Sequence, residues 1–136
     1  MSIQVSDVMK KFIFFSLLFF SSVVHAEWKL IASHEDGTEF FIETTSITLV
    51  NQYKRAWIRA EMPENSKFTT EFKNRSLREY REFDCREKRS RQLTAAYFKK
   101  PNLTDIDDQR NEIQEWRFVA PKTIMEPIFN FVCNRK

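Results

Sequence analysis

The chain has 136 residues, 22 Lys+Arg against 19 Asp+Glu for a formal net charge of +3, 15% aromatic residues and a single glycine. That length holds one domain once any leader is set aside. The near-neutral balance excludes nucleic acid as a partner chosen by charge, and one glycine excludes a glycine-rich loop that cradles phosphate.

In chain order, Lys10-Lys11 precedes a mostly apolar run from Phe12 to Val24, and Val24-His25-Ala26 stands before Glu27. A basic start, an apolar stretch shorter than the ~20 residues a membrane helix needs, and residues tolerated before a cut describe a secretory signal peptide cleaved after Ala26. Met9-Lys10-Lys11-Phe12 has the form of a second start site. Residues 27–136 then make one domain, with a balance of +2 because two lysines and Asp7 leave with the leader.

Trp28, Leu30 and Ala32 alternate with Lys29 and Ile31, which predicts a strand over Glu27–Ser33. Asp36-Gly37 marks a hairpin turn, and Thr38–Glu43 returns with Phe40, Phe41 and Ile42. A turn at Thr44–Ser46, a short strand Ile47–Val50 and a turn at Asn51-Gln52 lead to a strand over Tyr53–Met62. Its Tyr53, Arg55, Trp57 and Arg59 point one way, and Lys54, Ala56, Ile58 and Ala60 the other. Lys67–Arg78 reads as a weak edge strand or a loop, from the alternation of Phe68, Thr70 and Phe72 among charged residues. Leu77–Cys85 and Arg89–Lys99 form a second long hairpin, turning near Glu87-Lys88; Asn102–Asn111 reads as an acidic loop and Glu115–Val119 as a last strand.

Thr123-Ile124-Met125-Glu126 has the spacing of a capping box. Met125, Ile128, Phe129 and Val132 then form one apolar stripe of a C-terminal helix with Cys133 on its edge. The only other cysteine is Cys85, which closes the stretch Glu79–Cys85. Export permits a Cys85–Cys133 disulfide, a staple of about 4 kcal/mol for a loop of roughly fifty residues; two free thiols, or a bond to another chain, are the alternatives. The expected fold is α+β: a single antiparallel sheet of about six strands with a C-terminal helix docked by one disulfide.

Chemistry-bearing residues are sparse. His34 lies two residues from Asp36 in a predicted turn, with no nucleophile placed beside it, so no catalytic site is expected. Asp105, Asp107 and Asp108 alternate as calcium ligands do, but Arg110 and Trp116 stand where such a loop needs Gly and Glu, so no metal or cofactor is expected. Arg86, Lys88, Arg89 and Arg91 form the densest basic cluster, at the tip of the long hairpin. They suit a sulfated glycan or an acidic patch of a partner protein, or else they solubilise a turn, with Arg91 paired to a nearby carboxylate. Trp57 with Arg55 or Arg59 is either an exposed aromatic and cationic platform or an aromatic core rimmed by arginine, and the second reading is preferred.

Trp28, Phe40-Phe41 with Ser46-Ile47, Lys54-Arg55-Ala56-Trp57, Asp84-Cys85, Arg91-Gln92-Leu93, Tyr97, Trp116, Pro121 and Cys133 occur in an order and spacing that resembles the bacterial surface-adhesin protein E family. The resemblance covers essentially all of residues 27–136. It implies an antiparallel sheet with a disulfide-docked helix, export, and binding of host matrix and serum proteins. Members of the adhesin type are anchored lipoproteins, whereas Glu27 occupies the place of the lipidated cysteine. The expected function is therefore an exported, non-enzymatic, adhesin-like binding protein without a stable membrane anchor. The alternative is a periplasmic structural or envelope-assembly component.

Overall fold

A computed structural model describes residues 27–136. The expected signal peptide and its cut after Ala26 concern the boundary with residues 1–26, which lie outside the described residues. Eight antiparallel strands form one sheet: β1 (Trp28–Ser33), β2 (Glu39–Glu43), β3 (Thr48–Val50), β4 (Tyr53–Glu61), β5 (Ser76–Asp84), β6 (Arg89–Lys100), β7 (Thr104–Arg110) and β8 (Arg117–Phe118). Six of them run in the spatial order β1-β2-β4-β5-β6-β7, while β3 pairs with β4 and the two-residue β8 with β6. Two α-helices, α1 (Lys67–Phe72) and α2 (Met125–Asn134), and a 3-10 turn at Thr44–Ser46 complete the fold. The about six strands expected thus become six long-path strands and two short ones.

The turns follow local chemistry. Gly37 takes φ 90 in the first hairpin, a value that side chains rarely adopt, and Asp36 Oδ1 accepts the Thr38 amide at 2.9 Å. The second hairpin turns at residues 85–88, with Lys88 left-handed at φ 53.

The even residues of β4 build the core. Ala56 and Ile58 pack with Ile42, Phe83 and Val119 against Ile128, Phe129 and Val132 of α2. The predicted helical stripe therefore faces the sheet. Cys85 and Cys133 are disulfide-bonded with Cα atoms 5.6 Å apart, which ties α2 to the end of β5. Lys54, on the same face, reaches the far end of α2, where its Nζ donates to the carbonyls of Val132 and Cys133 at 3.2 Å and also to that of Arg135.

Four expectations are corrected. Lys67–Phe72 is helical rather than an edge strand, because Ser66 caps it: Ser66 Oγ accepts the Thr69 amide at 3.0 Å, and Lys73 ends it at φ 60. Thr104–Arg110, read as a loop, is a strand on the outer edge of β6; every residue of it is exposed, so it has no apolar alternation to betray it. The strand expected over Glu115–Val119 shrinks to Arg117–Phe118. The capping box at Thr123 does not form: Thr123 Oγ1 instead donates to the Ala120 carbonyl at 2.7 Å, and α2 starts from Ile124 without a side-chain cap.

Candidate binding face

Both helices lie on the face of the sheet that carries Ala56, Ile58 and Phe83. On α1, Phe68 stacks at 6.4 Å with Tyr97, which registers with Leu77 on that same face. The opposite face carries the odd residues of β4, and among the described residues neither α-helix lies on it. Cross-strand register arranges this open face in rows perpendicular to the strands. One row runs Leu30, Phe41, Arg59, Arg78, Ala96; the next Trp57, Tyr80, Thr94; the next Arg55, Glu82, Arg91; and Arg89 lies beside Phe118 and Asp84 at the end.

Arginine and aromatic rings interleave across these rows. Trp57 stacks on Tyr80 with centroids 4.9 Å apart and planes at 27°. Arg78 sits 5.8 Å from the Trp57 ring and 5.7 Å from the Phe98 ring, and Arg59 sits 5.6 Å from Phe41 and 5.9 Å from Trp28. Trp116 arrives from the segment before β8 and lies 4.2 Å from Arg91 and 4.8 Å from Arg89, with Tyr53 against it at 5.0 Å. Each guanidinium lies within the distance at which a ring quadrupole attracts a cation.

At the centre is Glu82, 1% exposed. Its Oε2 accepts Arg55 Nε at 2.8 Å, and its Oε1 accepts Arg91 Nε at 2.9 Å and Nη2 at 2.7 Å. One buried carboxylate thus holds two arginines upright, and each keeps about a quarter to a third of its side chain in solvent, 32% for Arg55 and 26% for Arg91. Arg59 is held in the same way by Glu61 at 2.6 Å and Arg89 by Asp84 at 2.8 Å. Arg78 is exposed and makes no ion pair among the described residues. Burial alone would push the Asp84 carboxyl up, but hydrogen bonds from Arg89 and from the amides of Glu87 and Arg86 outweigh it and hold it below its ordinary value. The same bond raises Arg89.

The basic cluster expected at the hairpin tip therefore divides. Arg89 and Arg91 belong to the open face, each paired to a carboxylate, while Arg86 and Lys88 are exposed in the turn. Arg86 and Arg89 share a cleft of ≈ 360 Å³ with Gln52, Asp84 and Glu87. Trp57 is half-buried on the open face and outside the core cluster, so the preferred reading of it as core is overturned by the face it occupies. Sequence reading places Tyr53 on the Arg55–Trp57 face and Trp116 among the family residues but gives neither a binding role, and it misses Arg78, Tyr80 and Glu82, whose alternation along β5 is the available signal.

The remaining candidates stay apart. His34 Nδ1 lies 3.1 Å from Asp36 Oδ1 in the exposed first turn. On β7, Asp107 accepts Asn74 Nδ2 at 2.9 Å and Asp108 pairs with Arg110 at 3.3 Å. Among the described residues no three His, Cys, Asp or Glu side chains cluster to hold a metal ion.

The sequence model of the surface-adhesin protein E family matches residues 28–134. The chain belongs to the surface-adhesin protein E family. Solved structures of Haemophilus influenzae protein E share its fold. One crystal form is 14% identical, covers 83% of this chain and 91% of its own, and superposes with a TM-score of 0.59; a second structure is 14% identical, covers 83% and 88%, and gives 0.58. No curated protein sequence matches significantly. Family membership implies an exported or cell-surface protein that binds host macromolecules. Among the described residues no helix is long and apolar enough to cross a membrane.

Proposed function

We propose that this member of the protein E family is an exported, non-enzymatic, adhesin-like module that holds a host matrix or serum protein, or a sulfated glycan, against its open sheet face. The observation that carries the reading is the row Arg55–Glu82–Arg91, in which one buried carboxylate presents two guanidiniums beside stacked aromatic rings. Five arginines there share the face with the carboxylates of Glu39, Glu43, Glu61, Glu82 and Asp84, so the face is not net cationic; its binding capacity lies in guanidiniums held in place by acceptors and in Arg78, which makes no ion pair among the described residues. Preset guanidinium forks are suited to carboxylate and sulfate, and rings already stacked lose little freedom on contact. Arg86 and Lys88 add two exposed cations at the hairpin tip. The signal peptide is cleaved after Ala26 in this reading.

The test has two parts. On a heparin column the protein is expected to elute late and in a salt-dependent way, and Arg78→Glu, which removes an unpaired guanidinium, is expected to bring elution forward. A pull-down of matrix and serum proteins by the domain is expected to weaken in step. Retention indifferent to salt and to Arg78→Glu, with no captured protein, ends the proposal. Fractionation of cells separates it from the envelope-component alternative, which requires the protein to be held inside the outer membrane.

A further inference from the structure

A second surface is built where the sheet ends. β1 is the terminal strand, and no strand among the described residues pairs with its outer edge. The Thr44 amide donates to the Glu27 carbonyl across to β2. Antiparallel ladders alternate inward and outward residues. Glu27 and Lys29 therefore bond toward β2, while Trp28 and Leu30 present N–H and C=O groups to the outside. Alongside this edge runs α2, and the two enclose an open groove of ≈ 590 Å³ lined by Lys29, Ile31, Pro127, Asn130, Phe131 and Arg135 among others. Phe131 forms its aromatic floor, with Lys29 Nζ 5.2 Å and Arg135 Cζ 5.6 Å from the ring. No carboxylate lines the groove, and neither cation makes an ion pair among the described residues. Leu30 also lines the groove, and its side chain, in register with Phe41 on the opposite face of β1 from Lys29, is 47% exposed.

We infer that this edge takes an extended acidic peptide segment as an additional strand. Its backbone bonds to the outward groups of Trp28 and Leu30. Its alternate residues place carboxylates into the groove on Lys29 and Arg135 and apolar side chains beside Leu30. Strand addition of this kind draws affinity from main-chain hydrogen bonds and specificity from what meets alternate side chains. Here the groove supplies two cations on an aromatic floor for one side-chain set and an exposed aliphatic contact for the other. The groove and its two cations lie on the helix side of β1, separated by three strands from β6 and Arg91 and with only Leu30 shared with the open face, so the inference does not rest on the Arg55–Glu82–Arg91 reading.

The probe is a fluorescein-labelled peptide of alternating glutamate and valine, about eight residues long to match a strand, with a lysine and valine peptide as control. Fluorescence anisotropy with residues 27–136 is expected to show salt-sensitive binding of the acidic peptide only. Lys29→Glu with Arg135→Glu, both at exposed positions, is expected to weaken it about tenfold or more, a change of ~1.4 kcal/mol. Leu30→Pro removes an outward N–H while leaving the β2 ladder its own, as edge strands tolerate, and is expected to weaken binding comparably at unchanged circular dichroism. Hydrogen exchange of the Trp28 and Leu30 amides is expected to slow when peptide is bound. Binding unchanged by both variants overturns the proposal, as does binding lost on Arg78→Glu but kept in Leu30→Pro, which assigns the peptide to the open face. Slowed exchange at Trp28 and Leu30 without peptide, at rising protein concentration, also overturns it by assigning the edge to a second copy.

Discussion

A carboxylate buried between two guanidiniums has opposite consequences for stability and for binding. Glu82 is desolvated, and its removal strands Arg55 and Arg91 against each other, so Glu82→Ala is expected to cost about 3 kcal/mol in urea unfolding, at the low end for a broken buried pair because both arginines keep partial hydration. Glu82→Gln should cost less, since it keeps one acceptor. Acid titration separates two other carboxyls by sign. Asp84 is held below its ordinary value of 3.8, so the stability it contributes is present above that value and lost as pH falls through its lower folded value. Asp84→Asn should therefore lie below the wild type near neutrality and approach it in acid. Glu79, on the helix side, is pushed above its ordinary 4.5 by burial, which its contact with Arg81 only partly offsets. The folded state then holds that proton more tightly, and the stability it lends at low pH is lost as pH rises from 4.5 through the higher folded value. Relative to wild type, Glu79→Gln should gain stability as pH rises across that window, the reverse trend from Asp84→Asn. Parallel trends for the two variants would show that these environments are misassigned.

At the level of elements, α2 is joined to the sheet by three different means: the buried side chains Ile128, Phe129 and Val132, the disulfide at Cys85, and Lys54 at its carbonyl end. The disulfide closes a loop with a sequence separation of 48. Replacing both cysteines by serine is expected to lower stability by about 4 kcal/mol in the chain-entropy account. Lys54→Met, which keeps the stem but leaves the last carbonyls to water, should cost about 1 kcal/mol. Equal losses for the two variants in denaturant titrations would contradict this ranking. The stripe of α2 and its bond to Cys85 were legible because periodicity and a lone cysteine pair are local signals. α1 was misread because Phe68 and Phe72 satisfy two periods at once: two apart from Thr70 they alternate, four apart they share a helix face, where their rings lie 4.8 Å apart. The Ser66 cap decides between them. On β4, the division of odd from even residues was legible; the partners of the odd ones were not. Arg91 comes beside Glu82 only through a register that shifts at Tyr80/Arg81, and such shifts are set by tertiary pairing.

Across the whole molecule, stability is graded from the centre of the sheet outward. β4 and β5 are paired on both sides, and Ile58, Ala56 and Phe83 are sealed beneath α2. β7 has one neighbour, all its side chains are exposed, and its ladder shifts register between Tyr97 and Phe98. β8 contributes only two residues, with Phe118 70% exposed. Few buried apolar contacts and solvent-facing hydrogen bonds are the conditions under which a segment opens without the rest. Native-state hydrogen exchange should therefore show β7 and β8 amides exchanging through local openings that are insensitive to denaturant, while central β4 and β5 amides exchange only through global unfolding. Reduction of the disulfide is expected to speed exchange in β4 and β5 while leaving β7 nearly unchanged, because β7 lies on the far side of β6 and puts no residue into the core packed under α2. If β7 instead lost protection together with α2, the sheet would be one cooperative unit. The open face, which spans β1 to β6, would then depend on the staple for its rigidity as well as its fold.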